Sequence, residues 1–187
     1  MLSEKFRHIL DKPLAPLIAK LPISPNAVTV LGMFITSSSV FIIPVNLFWG
    51  GLVILLGGAF DLLDGIVARM NDRKTKFGAF LDSSLDRVAD GFVFMGLCWF
   101  FLKTGHNLAL LLTVFGLVAS LVISYIRARA EGLGAECRVG LIERPERLIL
   151  IAFGCLTGLI WPVIVVLTVL SWITVLQRIF HVRGQLS

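Results

Sequence analysis

Four aspartates carry the chemistry that stands out first along the chain. Asp61 and Asp64 are three residues apart and Asp82 and Asp86 four apart, so on helices each pair projects from one face. Both pairs border long apolar stretches, where an ionisable side chain is costly and marks function by default. Carboxylates gathered in this way repel one another and resist ionisation unless cations neutralise them. Hard divalent cations with oxygen ligands are the matching partners, and Mg2+ is typically held by a few carboxylates together with substrate phosphates. Two such ions, Mg2+ or alternatively Mn2+, roughly 3.5–4 Å apart, would clamp a pyrophosphate, polarise the attacked phosphorus and stabilise the leaving oxygen. A phosphate-bearing ligand is therefore implied. The plainer alternative is that the aspartates are solvated charges at helix ends.

The elements that must position these residues are membrane helices. Apolar residues make up 57% of the 187 and mean hydropathy is +0.90, above the roughly half apolar usage of soluble proteins. Residues 27–60 and 148–177 are free of charge, and each run exceeds the ~20 residues that one span requires. The pattern predicts an all-α integral membrane protein with six transmembrane helices over about 25–47, 52–70, 80–102, 108–130, 146–160 and 163–180. Ser24 and Pro25 read as cap and first position of the first span. Pro44, Asn46 and Gly50-Gly51 read as its end, and Trp161-Pro162 as the break between the last two. The short polar turn 71–78 predicts that the second and third helices are antiparallel neighbours, with their acidic pairs face to face.

Ahead of the spans, Leu2, Phe6, Ile9, Leu10, Leu14, Leu17, Ile18 and Leu21 recur at helical spacing with charges on the other face. Residues 1–22 read as a juxtamembrane amphipathic segment lying in the interface, divided by Pro13 and Pro16, and residues 23–187 as the six-helix membrane domain. No signal-peptide pattern is present, so the N-terminal segment is expected to be retained. The three cysteines, Cys98, Cys137 and Cys155, have neither disulfide nor metal-site spacing. The net charge of +5 is explained by topology rather than by a nucleic-acid partner. Every Lys and Arg except Lys103 falls on one side of the six-span arrangement, which predicts a cell-membrane protein with both termini cytoplasmic.

The run Asp61-Leu62-Leu63-Asp64-Gly65-Ile66-Val67-Ala68-Arg69, continued by Gly78, Asp82 and Asp86, resembles the CDP-alcohol phosphotransferase (phosphatidyltransferase) signature at every defining position. The resemblance implies six membrane helices, a homodimer, and transfer of a lipid phosphate from a CDP-linked lipid with release of CMP. It also implies that Asp61 and Asp82 bridge two metals, that Asp64 holds one and Asp86 the other, and that Asp86 is the general base. Gly65 and Arg69 match positions that contact the CDP moiety, with Thr75 as a further contact in the turn and Gly78 as either a contact or a packing glycine. Asn26 and Thr29 resemble a second nucleotide contact on the first helix, beside the simpler reading of Ser24-Pro25-Asn26 as helix initiation. Physical reasons agree for two of them: Gly65 lets a nucleotide approach the backbone, and Arg69 offers fixed donors to phosphate.

Arg127, Arg129, Arg138, Arg144 and Arg147 share the expected side of the metals and form a candidate site for an acceptor carrying its own phosphate. Positive-inside topology alone would also put them there. Arg144 and Arg147 flank Pro145 at the expected start of the fifth helix, where the dipole disfavours cations; a bound anion, or Glu143 and Glu146, would relieve the conflict. The segments 125–131, 143–147 and 86–91 resemble the branch of the family that makes phosphatidylinositol phosphate or its archaeal ether-lipid counterpart. That implies CDP-diacylglycerol or CDP-archaeol as donor and inositol phosphate as acceptor, with Asp90 meeting ring hydroxyls or pairing with an arginine. The alternatives are glycerol 3-phosphate as acceptor, which would make the chain a phosphatidylglycerolphosphate synthase, a prenyltransferase with a different aspartate spacing, and, from another class, a magnesium transporter.

Overall fold

Ser24 caps the first helix as its sequence suggests: its hydroxyl accepts from the Ala27 amide at 3.2 Å, and Pro25 fills the first turn, where a missing N–H costs nothing. The computed structural model describes residues 24–70 and 75–186, together with their side chains except those of 64–70. The expected amphipathic segment 1–22, the centre of the polar turn at 71–74, and the side chains of Asp64 and Arg69 lie outside the described residues. Every regular element among those described is a helix: α1 Pro25–Ile42, α2 Leu47–Met70, α3 Lys76–Lys103, α4 Asn107–Gly132, α5 Arg144–Thr157 and α6 Ile160–Leu186.

Two expected boundaries move. The Gly50-Gly51 pair, read as the end of the first span, lies inside α2, which already begins at Leu47 after Asn46 caps it through the Trp49 amide at 3.2 Å. These glycines serve close packing. A Cβ on Gly50 would stand 2.6 Å from Ile43 Cγ1, and one on Gly51 would stand 3.0 Å from the Ala152 carbonyl of α5. The break between α5 and α6 falls at Gly158, which ends α5 in the left-handed region with φ +75. Trp161 and Pro162 belong to the first turn of α6, where proline is tolerated.

α1 packs against both α2 and α3; α2 packs against α5, α3 against α4, and α4 and α5 against α6. Among the described residues, then, α2 and α3 find their main neighbours in α1 and α5 and in α1 and α4, and not along each other's flanks. Their acidic ends still converge, as shown below. Helix approach is close at small residues, as expected where dispersion and not water exclusion brings helices together. At the α1–α2 crossing a Cβ on Gly57 would collide with the Thr36 hydroxyl, and one on Gly32 would come 3.0 Å from Phe60 Cβ.

The bundle buries small polar side chains beside its apolar core and turns large apolar ones outward. Thr36, Ser39, Thr113, Ser120, Ser171 and Thr174 are buried, whereas Phe34, Phe41, Leu111, Phe115 and Val169 are exposed. That surface suits a hydrocarbon surround. α1, α4 and α6 are long and apolar enough to cross a membrane, and α2 contributes a shorter apolar stretch over Leu47–Leu63. The main apolar core is built on Ile43, Ile54, Phe94, Phe101, Ile151 and Ile164 and includes Leu148 beside Arg147. Lys103, the one basic residue expected on the side away from the aspartates, donates to the Pro44 carbonyl at 3.2 Å.

The crossing at Gly57 is testable. Gly57→Ala should destabilise the bundle by about 1–3 kcal/mol through overpacking, read as a lowered unfolding temperature in detergent. Gly58→Ala, where a Cβ meets open space, should be neutral or stabilising by up to about 1 kcal/mol through helix propensity.

Candidate active site

Next to the apolar core, carboxylates from two helices meet guanidinium groups from a third. α3 carries Asp82, Asp86 and Asp90 at successive four-residue steps, on one face. Asp61 comes from α2, and Arg144 and Arg147 from the first turn of α5. Arg144 Nη1 lies 2.6 Å from Asp61 Oδ2 and 2.8 Å from Asp86 Oδ1, while its Nε donates to Asp90 Oδ1 at 3.0 Å. Arg147 Nη2 donates to Asp90 Oδ2 at 3.1 Å, and both of these side chains are 2% exposed. The Ser120 hydroxyl of α4 completes the shell of Asp90 at 3.4 Å. Asp82 is half-buried one turn before Asp86. Arg87 pairs with Asp86 from the adjacent position at 3.4 Å.

The start of α5 shows why two cations tolerate a helix N-terminus. Glu143 and Glu146 form a capping box, with the Glu143 amide donating to Glu146 Oε2 at 3.2 Å. Arg144 and Arg147 are then neutralised by carboxylates of α2 and α3. The dipole conflict is thus relieved within the protein, and of the two roles weighed for Asp90 the structure displays the arginine partner.

The five candidate arginines take different situations. Arg144 and Arg147 join the carboxylate network. Arg127 is exposed and pairs with Glu131 at 2.9 Å, and Arg129 and Arg138 are exposed. A sixth, Arg178 of α6, appears in the sequence as one of two basic residues that close the chain, yet it is buried and organises the α4–α5 connection. Its Nε donates to the Val139 carbonyl at 2.9 Å, its Nη1 to the Ile123 carbonyl at 2.8 Å, and its Nη2 lies 3.7 Å from Glu143 Oε1. Thr174, one turn earlier, accepts from the Leu141 and Ile142 amides at 3.2 and 3.3 Å. Gly140 lies between these anchors with φ +142, where a Cβ would meet Thr174 Cγ2 at 2.5 Å. The sequence signal for this anchor was a charge at helical depth, four residues after Thr174 on α6.

A second group lies where α1 and α3 begin. Thr75 caps α3, its hydroxyl accepting from the Gly78 amide at 2.9 Å. A Cβ on Gly78 would stand 3.0 Å from Thr75 Oγ1 and 3.1 Å from Asn26 Oδ1. Asn26, Thr75 and Gly78 therefore surround one small space. Thr29, one turn further along α1, is buried and donates to the Pro25 carbonyl at 3.1 Å. A Cβ on Gly32, beyond it, would come within 3.2 Å of Asp61 Oδ1, so α1 links this space to the carboxylates. Gly65 and Arg69 lie on α2 beyond Asp61, outside the described side chains.

The donor set suits a divalent cation. Two carboxylate oxygens from different helices, Asp61 Oδ2 and Asp86 Oδ1, converge on one positive nitrogen, and carboxylate oxygens are the hard donors such a cation takes. Among the described residues no set of three acidic, His or Cys side chains closes on a common point; Asp64, the fourth expected ligand, has its side chain outside them.

Comparison with known proteins bears on this arrangement. A family model described as CDP-alcohol phosphatidyltransferase matches residues 22–182. The chain is 40% identical to a phosphatidylinositol phosphate synthase of Mycobacteroides abscessus, over 98% of this chain and 88% of that one. It is 37% identical to an archaetidylinositol phosphate synthase of Methanothermobacter thermautotrophicus, over 98% and 95% respectively. Crystal structures of the Mycobacterium tuberculosis phosphatidylinositol phosphate synthase superpose on it at 36% identity. The one with CDP-DAG bound has a TM-score of 0.84 and covers 92% of each chain. The one in complex with manganese and citrate has a TM-score of 0.83 and covers 92% and 88%.

Asp90 ties two guanidinium groups together, so its removal should be the most disruptive change in this network. Asp90→Ala should cost about 3–5 kcal/mol, as expected when a buried pair is broken, measured by thermal unfolding in detergent. Arg178→Met should leave two carbonyls without their donor, cost about 1–3 kcal/mol for each, and accelerate proteolysis within residues 133–143.

Proposed function

Because the chain belongs to the CDP-alcohol phosphatidyltransferase family, we propose that it transfers a phosphatidyl or archaetidyl group from a CDP-linked lipid to inositol phosphate and releases CMP. The observation that carries the reaction is the convergence of α2 and α3 carboxylates on a single cationic point. The acceptor reading is supported by relatives that share nearly the whole chain and are named for inositol phosphate products.

In this reading Asp61, Asp64, Asp82 and Asp86 hold two divalent cations, Mg2+ or Mn2+. Bound there, the ions would neutralise the donor's pyrophosphate and act as Lewis acids on the phosphorus. Asn26, Thr29, Gly65, Arg69, Thr75 and Gly78 bind the CDP moiety, with Gly78 keeping the space beside Asn26 and Thr75 open. Asp86 accepts the proton of an acceptor hydroxyl as that oxygen bonds to the lipid-side phosphorus and the bond to CMP breaks. Arg144 and Arg147 receive the acceptor's own phosphate, with Arg127, Arg129 and Arg138 as outer contributors. Six membrane crossings, with both termini on the cytoplasmic face of the cell membrane, set this end of the bundle against the compartment that supplies the soluble acceptor.

Two names among the relatives favour two donors, diacyl and ether-linked, and both belong in the test. Purified protein with Mg2+, CDP-diacylglycerol or CDP-archaeol, and either inositol phosphate or glycerol 3-phosphate should release CMP with inositol phosphate. Equal or faster release with glycerol 3-phosphate would move the chain to phosphatidylglycerolphosphate synthesis, and ion flux into vesicles without donor would favour a transporter. Asp86→Asn should lower the rate by about 10²-fold or more at saturating Mg2+. A near-normal rate would remove Asp86 from its role as base and ligand.

A further inference from the structure

Arg144 is held by more carboxylates than its role toward an acceptor requires. Its Nη1 is shared by Asp61 at 2.6 Å and Asp86 at 2.8 Å, and its Nε is bound to Asp90 at 3.0 Å. Asp90 has a second cation in Arg147 at 3.1 Å and a hydroxyl donor in Ser120. The contacts to Asp61 and Asp86 are therefore exchangeable without leaving Asp90 alone.

Resting on the functional reading above, we infer that Arg144 is the counter-cation of Asp61 and Asp86 in the metal-free protein and is released to the acceptor's phosphate when a divalent ion takes those carboxylates. A divalent ion bonds carboxylate oxygens at about 2.0–2.1 Å for Mg2+, so it claims the same oxygens that Nη1 now holds and repels the guanidinium as a like charge. Once displaced, Arg144 keeps Asp90 but has lost two of its three anions. It stands at the N-terminal turn of α5, where backbone dipoles favour an incoming anion. Beside it Arg147 is 2% exposed and its Nε lacks a hydrogen-bond partner among the described residues, a second donor group available to the same phosphate. The consequence is linkage: metal and acceptor each raise the other's affinity, by the same factor.

The test uses the full-length protein in detergent and titrates Mn2+ and inositol phosphate calorimetrically, each with and without the other. Wild type should bind inositol phosphate on the order of tenfold more tightly when saturated with Mn2+, within the usual range of couplings. In Arg144→Gln, Mn2+ should bind more tightly than in wild type because its competitor is gone, and the coupling factor should fall toward one. Metal-free Arg144→Gln should also unfold at a lower temperature and gain more on Mn2+ addition than wild type does. Arg144→Lys keeps the charge but not the fork and should show intermediate coupling; it serves as the second variant if the Gln protein does not fold. Unchanged coupling in the variants, or weaker Mn2+ binding by Arg144→Gln, overturns the inference. Wild type that binds both ligands independently defeats this inference alone, whereas wild type that binds neither defeats the functional reading beneath it.

Discussion

A carboxylate buried inside an apolar bundle must be neutralised by something the chain itself can bring to it, and the site end of this molecule is organised around that requirement. Asp90 meets it with two arginines from α5 and a hydroxyl from α4. Because desolvated charges are tolerated only when geometry and hydrogen bonding are both good, the first turn of α5 has to arrive at one depth and one rotation. The capping box of Glu143 and Glu146 sets the start of that helix. Arg178, Thr174 and Gly140 fix the segment leading into it. α6 therefore contributes to the site by holding the connection from which Arg144 and Arg147 project.

Packing between the helices answers a different demand. Helices surrounded by hydrocarbon gain little from burying apolar faces against one another, and here they approach through glycines at Gly32, Gly51 and Gly57. The large apolar cluster sets the helices in relation to each other and reaches Phe94 and Leu148 beside the buried Asp90–Arg147 pair. The same packing that joins the helices therefore also holds the charged side chains.

Much of this was legible in the residues. Ser24-Pro25 at a helix start acts locally and follows from capping rules, and the four-residue spacing of Asp82 and Asp86 puts both on one face of α3; Thr75, read as a contact in the turn, also caps α3. The boundaries at Gly50-Gly51 and Trp161-Pro162 were misread for a physical reason. Glycine serves close helix approach as readily as helix termination, and proline is harmless in a first turn, so neither residue reports by itself which use applies. Two things were not legible: that Arg144 would meet Asp61 and Asp86, and that Arg178 would anchor the α4–α5 connection. Both depend on helices distant in sequence, and a single chain's pattern of charges does not specify which partners pack together.

The length of α5 has a consequence for where the chain turns back. Its 14 residues rise about 21 Å, against a hydrocarbon core of about 30 Å. A helix of that length beginning at one membrane face stops several ångströms short of the other. Its arginine-bearing end stays at the face where the helix begins, so the shortfall lies at the opposite end, where Gly158 closes α5. The chain therefore turns back at Gly158 before the full thickness is crossed, and the first turn of α6, with Trp161 and Pro162, lies at depth.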